Sequence, residues 1–224
     1  MKKRPYYEAY DKRYRIAHEK GICWLGEEPS AIVLQALERW AVPRESSILE
    51  LGCGEGRDAR ALLRRGFDLL ATDVSPEAIR FCRERSPQWK DRFQVLDCVA
   101  GTLEKRFRFI YAVAVVHMLV TDRDRDAFYR FVAAHLTEGG VGLICSMGNG
   151  TTQRQTDPTE AFRMRYRDYG EEKIRLPATS CRMVSFPVFR DELRRNGLLR
   201  LEEGMTAVSG FSEMMYAVVG RANR

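Results

Sequence analysis

No stretch of the 224-residue chain is apolar for long enough to cross a bilayer, and the opening Met-Lys-Lys-Arg-Pro-Tyr-Tyr is not followed by the apolar segment that export requires. A membrane partner is therefore not expected, and a cytoplasmic location is. The six cysteines (Cys23, Cys53, Cys82, Cys98, Cys145 and Cys181) are scattered, with no Cys-x-x-Cys pair. Zinc binding and a disulfide framework both lack support, a reducing compartment fits, and no metal is expected. Equally missing are a Ser-His-Asp arrangement, a paired-carboxylate signature and a His/carboxylate cluster. Basic runs interleaved with aromatics are confined to residues 2–15. The net charge of +6 comes elsewhere from arginines mixed with acids, as in Asp122-Arg-Asp-Arg-Asp126, which reads as a solvated surface rather than a nucleic-acid footprint. With 45% apolar and 30% charged residues, what remains is one globular domain with a sizeable core.

The chain is organised around residues 48–58, Ile-Leu-Glu-Leu-Gly-Cys-Gly-Glu-Gly-Arg-Asp. Ile48, Leu49 and Leu51 read as the end of a buried strand, and Ala59 to Leu63 as the start of a helix. Between them lie Gly52, Gly54 and Gly56. A strand that turns through alternating glycines into a helix lets bare backbone approach a ligand, because glycine lacks the Cβ that would block it. The dinucleotide fingerprint wants its third glycine one residue later, where Arg57 stands. Glu50, Glu55 and Asp58 around the turn would repel a pyrophosphate and attract a ligand carrying an ammonium and a sulfonium.

At Glu50, Gly52, Gly54 and Gly56 the sequence resembles the first motif of class I S-adenosylmethionine-dependent methyltransferases. The resemblance implies S-adenosyl-L-methionine as cofactor, with Cys53, Val74 and Val113 also beside it. It covers residues 44–147 by motif. Asp73 ends the second predicted strand at the spacing from Gly56 that a carboxylate needs to hold a ribose diol, with Ser75 better placed than Asp73 to cap the next helix. Asp97 matches the acid that in this family accepts from the adenine amine, and the backbone N–H of Cys98 is the one that reaches the ring. One departure is Arg108 after Phe107, where the family frequently has an aspartate.

From Pro43 onward short apolar strands alternate with helices, which predicts an α/β, doubly wound, mostly parallel seven-stranded Rossmann-like sheet with an antiparallel C-terminal edge hairpin. The strands are expected at 47–51, 67–72, 93–96, 109–116, 141–147, 198–203 and 214–220, the last two joined by 204–213. Helices are expected at 30–41 with Ser30 as N-cap, from the glycines to Arg65, at 76–86, from Thr121 or Asp122 to Leu136 closed by Glu138-Gly139-Gly140, and at 185–195. A turn over Gly21–Pro29 carries Trp24. One domain is therefore expected: an N-terminal helical lid at 1–42, a cofactor-binding core at 43–147, an insert at 148–184 covering the substrate, and a last helix and hairpin at 185–224.

In the N-terminal segment Tyr7, Tyr10 and Tyr14 fall at helical spacing, so one face is aromatic. By analogy with such lids in the family, Arg13 is expected to meet the cofactor carboxylate. Methyl transfer from a sulfonium is an in-line displacement and needs positioning and water exclusion above all. If the acceptor is a hydroxyl or an amine, a base must take its proton. His117, at the end of strand four, is the first candidate, and His18, Tyr10 and Tyr14 are weaker ones. His135 is expected to be structural. Val-Val-His-Met-Leu stands where nucleic-acid methyltransferases carry Asn-Pro-Pro-Tyr or Asp-Pro-Pro-Tyr, which favours a small-molecule acceptor, with the protein a monomer or a homodimer. The alternatives are a non-catalytic cofactor-binding partner module, an RNA-modifying methyltransferase and, least favoured, an NAD-dependent oxidoreductase.

Overall fold

The computed structural model describes residues 4–23, 26–169 and 172–222; the expected turn residue Trp24 lies outside them. In chain order the elements are α1 (Ala9–Glu19), α2 (Ala31–Arg39), β1 (Ser47–Leu51), α3 (Arg57–Arg64), β2 (Asp68–Asp73), α4 (Pro76–Arg85), β3 (Phe93–Val95), β4 (Phe107–Val113), α5 (Asp122–His135), β5 (Leu136–Met147), β6 (Arg154–Gln155), β7 (Met164–Tyr169), β8 (Glu172–Pro177), β9 (Arg182–Met183), α6 (Phe186–Arg195), β10 (Leu198–Val208) and β11 (Phe211–Arg221). Seven of the strands form one sheet in the order β10-β11-β5-β4-β1-β2-β3. The pairs from β5 to β3 are parallel, and β11 runs antiparallel to both β5 and β10.

Both faces of the sheet are covered, which is why its central strands are apolar almost throughout. Ile48, Leu69, Phe109 and Leu143 pack with α2, α3 and α4 on one face. Leu49, Ile110, Ile144 and Met215 pack with α5 and α6 on the other. Successive residues of a strand thus feed opposite cores, as the period of two requires.

Several boundaries differ from expectation. Strand β4 stops at Val113 instead of Val116, because Ala114 turns to φ +60° and Val116–Met118 forms a single 3-10 turn. Strand β5 begins at Leu136, and Glu138-Gly139-Gly140 forms a bulge inside it rather than a helix end, with Phe107 paired to Leu136 and Phe109 to Val141. The C-terminal hairpin is longer than read, turning at Ser209-Gly210 instead of over residues 204–213. Gly204 looked like a loop residue, but it sits in the ladder because the Tyr216 ring crosses it, 2.9 Å from where a Cβ would stand. Ser30 occupies the N-cap position of α2 without capping it; its hydroxyl donates to Asp58 Oδ2 at 2.8 Å. Ser75 does cap α4, accepting from Ala78 N at 3.1 Å.

A buried ion pair with no signature in the local sequence ties α5 to α6. Arg125 and Glu192 are both fully buried and doubly hydrogen-bonded (Nε–Oε1 2.7 Å, Nη2–Oε2 2.6 Å). Tyr129 donates to the same carboxylate at 2.9 Å, while Arg125 Nη1 donates to Val116 O at 2.8 Å. The cluster therefore also anchors the turn after β4. Glu192→Ala leaves the guanidinium buried and unmatched, and urea denaturation should show a loss of about 3–5 kcal/mol.

Candidate active site

The site forms at the carboxyl ends of β1, β2 and β4, where open α/β sheets bind ligands. After Leu51 the backbone runs through Gly52, Gly54 and Gly56 at φ +73°, +52° and +75°. Each glycine is also pressed by a different element. A Cβ on Gly52 would overlap Val115 Cγ2, one on Gly54 would lie 2.7 Å from the Tyr14 hydroxyl, and one on Gly56 would lie 2.8 Å from Cys82 Sγ. Conformation and space both demand glycine here. Asp73 at the end of β2 braces the turn, its Oδ2 accepting from Gly54 N and its Oδ1 from Ser75 N, each at 2.8 Å. Burial raises the Asp73 pKa, and these backbone donors pull against that rise.

Two cavities open beside the turn and share Tyr10, Tyr14, Gly52 and Met118 in their walls. The first is bordered by Asp73, Val74, Asp97 and Cys98 together with Leu96 and Val115. The second is bordered by Glu50, Cys53, Gly54 and Val113 together with Arg13 and Phe211. The expected cofactor residues are thus brought together, divided between the two spaces; Gly56 shapes the turn from behind. Asp97 is more committed than expected, since Tyr7 donates to its Oδ2 at 2.9 Å and Val99 N to its Oδ1 at 2.8 Å. Ala114, at a positive φ that costs a non-glycine residue about 1–3 kcal/mol, borders the second cavity.

Glu50 tests what the second cavity can hold. It is 4% exposed, and its Oε2 has no hydrogen-bond partner among the described residues. Burial, and then the nearby Asp58, push its pKa well above the usual carboxylate range. A buried carboxylate oxygen without a partner calls for a cation or a donor and opposes a phosphate. An ammonium group fits; a pyrophosphate does not.

Helix α1 lies across both cavities. Tyr10 donates to Ser180 O at 3.0 Å and Arg13 Nη1 to Thr179 Oγ1 at 3.3 Å, joining it to the end of the 148–184 stretch. Asp11 accepts from Ser75 Oγ at 2.8 Å and from Glu77 N at 3.1 Å, joining it to the start of α4. Burial lowers the Arg13 pKa to about 10, which leaves it cationic near neutrality. Burial also holds the Tyr14 phenol well above its ordinary value, so at neutral pH it is a protonated O–H.

His117 and His18 fall differently from expectation. His117 is 2% exposed and borders neither cavity; Met147 N donates to its Nδ1 at 3.4 Å. Burial, with the Arg125 charge second, pushes its pKa down to about 3. The end of β4 does sit beside the site, but the turn after Ala114 sends this side chain inward and presents Val115 and Met118 instead. His18 is held between Glu77 (2.7 Å) and Glu55 (3.1 Å) and stacks on Phe81. His135 is structural, its Nε2 accepting from Leu103 N at 3.0 Å.

The ordering of the sheet, the glycine turn at the end of β1 and the acid at the end of β2 define a Rossmann-like methyltransferase fold. Residues 48–140 match the family model described as a methyltransferase domain. Its backbone superposes on the CcbJ methyltransferase of Streptomyces caelestis with a TM-score of 0.72 at 17% identity, over 98% of this chain and all of the other (100%). A S-adenosylmethionine-dependent methyltransferase of Clostridium acetobutylicum gives 0.68 at 17% identity, over 97% and 99% of the two chains. The 1,6-didemethyltoxoflavin-N1-methyltransferase of Burkholderia thailandensis, solved with bound 1,6-didemethyltoxoflavin and S-adenosylhomocysteine, gives 0.67 at 17% identity, over 99% and 92%. Among curated proteins, hemagglutinin 1 of Eikenella corrodens is 34% identical over 103 residues, 44% of this chain. The chain spans about a third of that relative's length (33%). No helix among the described residues is long and apolar enough to cross a membrane.

The His18 contacts have a pH signature. Burial alone would lower its pKa, but the bonds to Glu55 and Glu77 outweigh that, and the net shift is upward from 6.5. A folded-state pKa above the unfolded one contributes stability that is complete below the unfolded value and is lost as pH rises through the folded value. In thermal melts between about pH 6 and pH 9, the advantage of wild type over His18→Gln should shrink as pH rises. An advantage that does not vary with pH removes the ion-pair account.

Proposed function

We propose that the protein transfers the methyl group of S-adenosyl-L-methionine to a small-molecule acceptor. The observation that carries this reading is the pair of neighbouring cavities with shared walls at the carboxyl edge of the sheet. One carries Asp73 and Asp97 among apolar walls and suits a nucleoside; the other carries the unpartnered Glu50 oxygen and suits an amino-acid end. Bound there, the cofactor supplies an already activated methyl carbon. The chain's own work is then to hold the acceptor in line and keep water out, and Tyr10, Tyr14, Met118 and Phe211 provide the wall for it. Helix α1 acts as the lid and residues 179–181 as part of the substrate cover.

A histidine base has no place in this reading. His117 is buried away from both cavities and His18 is engaged on both ring nitrogens, so the acceptor brings its own available lone pair. The neutral Tyr14 hydroxyl orients it by hydrogen bonding. A small acceptor is further supported by relatives of the same fold: a glycopeptide N-methyltransferase, MtfA, and the Burkholderia enzyme with its bound 1,6-didemethyltoxoflavin.

Titration calorimetry should show S-adenosylhomocysteine binding at micromolar order, about −8 kcal/mol, and no binding of NAD. Preference for NAD overturns the reading. Asp73→Ala should weaken S-adenosylhomocysteine binding by about 10–100-fold, the worth of a hydrogen bond to a charged group. A melting temperature taken alongside separates this from loss of the Gly54 and Ser75 contacts, and unchanged affinity removes the ribose role of Asp73.

A further inference from the structure

A second charged feature lies at the opposite edge of the sheet. The site described above stands beyond the carboxyl ends of β1, β2 and β4, whereas Arg106 immediately precedes β4. A surface cleft there is bordered by Arg106, by Arg130 of α5, by Arg195 at the end of α6 and by Arg221 at the end of β11. The sheet explains the convergence. Strand β11 runs antiparallel to β5, and Gly220 pairs with Val141, which pairs with Phe109, so the last residues of β11 lie beside the first of β4. The main chain fixes the corner, with Ala222 N donating to Gly197 O at 3.0 Å just after α6. The rest of the wall is small or polar, with Ala133, Ala134 and Gly197 leaving space between the arginines and no aromatic ring among the bordering residues.

The four guanidiniums are not equally committed. Arg195 is neutralised, its Nε donating to Asp126 Oδ1 at 2.9 Å and its Nη1 to Asp191 Oδ2 at 3.2 Å. As the last residue of α6 it also suits the negative end of that helix dipole. Arg130 is held by a neutral partner, its Nη1 donating to Asn196 Oδ1 at 3.3 Å, while Asn196 is fixed by Asp126 and Glu192 O. Neither Arg106 nor Arg221 lies on a helix, and neither has a carboxylate within ion-pair distance among the described residues. Exposed arginines such as Arg80 and Arg190, by contrast, meet Glu77, Glu84 and Glu203.

Like charges gathered in a concavity repel one another and focus their field, so the arrangement draws in an anion. Guanidinium forks match the oxygens of phosphate, and several forks around one small space match several linked phosphates. With no ring in the wall to stack on a base, charge is the feature the cleft can recognise. We propose that this cleft binds the oligophosphate group of a small anion, free or at the end of a nucleotide, at a site separate from the methyl-transfer edge. The proposal does not rest on the methyltransferase reading.

Calorimetric titration of the full chain with tripolyphosphate, with saturating S-adenosylhomocysteine present, tests the cleft. Wild type should bind, and Arg106→Gln and Arg221→Gln should each weaken binding by about 10-fold. Both side chains are exposed and make no ion pair, so the melting temperature should stay at the wild-type value. Arg175→Gln, at an exposed position of β8 outside the cleft wall, removes the same charge and should leave affinity unchanged. Adenosine triphosphate that binds more tightly than tripolyphosphate assigns the group to a nucleotide; equal or weaker binding assigns it to a free oligophosphate. Absence of tripolyphosphate binding, or unchanged affinity in both cleft variants, overturns the proposal. An equal loss in Arg175→Gln also overturns it, because overall charge then accounts for the binding. So does a hexaglutamate peptide or a short single-stranded RNA that binds through the same arginines more tightly than tripolyphosphate. The affinity for S-adenosylhomocysteine should be the same in every variant, so a failure here leaves the methyltransferase reading standing.

Discussion

The turn from β1 into α3 is the constraint on which the rest of the molecule depends. Its three glycines stand at positive φ, and each is packed against a residue from a different part of the chain: Val115 after β4, Tyr14 of α1 and Cys82 of α4. Asp73, from β2, fixes its centre through the Gly54 amide. The sheet positions the turn, and the turn in turn sets how closely α1, α4 and the segment after β4 approach. The cavities are the space left between those approaches.

Charge is buried around this turn with most groups paired across elements. Asp11 of α1 serves the start of α4, His18 sits between Glu55 and Glu77, and Asp58 of α3 holds Ser30 before α2. Farther off, Arg125 and Glu192 join α5 to α6 and hold the Val116 carbonyl. Such pairs add little net stability over apolar packing, but they penalise any arrangement that parts them, so they fix how the helices sit over the sheet. Against this background Glu50 Oε2 and Arg57 Nε and Nη1, without hydrogen-bond partners among the described residues, stand out, because protein interiors rarely leave such groups unmatched.

Much of this was legible in the chain. Period-two apolar strands alternating with helices specify a parallel sheet covered on both faces, and the glycine spacing with Glu50 and Asp73 marks the ligand edge. Strand ends were less legible. Gly204 and the Gly139-Gly140 pair carry loop chemistry but lie within β10 and β5, because a ladder of neighbouring strands and a crossing tyrosine ring outweigh local preference. His117 was placed at the correct strand end with the wrong orientation, since nothing in Val-Val-His-Met-Leu reveals that Ala114 adopts φ +60°.

What the sequence determined alone was the order of elements and the residue types at the ligand edge, because hydrophobic period and glycine's freedom act over a few neighbouring residues. Only the tertiary structure decided which of those residues face a cavity, which are spent on each other and which are left unmatched. Arg57 carries the same guanidinium as the other arginines of the chain. It is distinguished by where Ser30 and Asp58, almost thirty residues and one residue away, come to lie around it. Burial and unmatched hydrogen bonds are properties of an assembled interior, and no local stretch of sequence contains them.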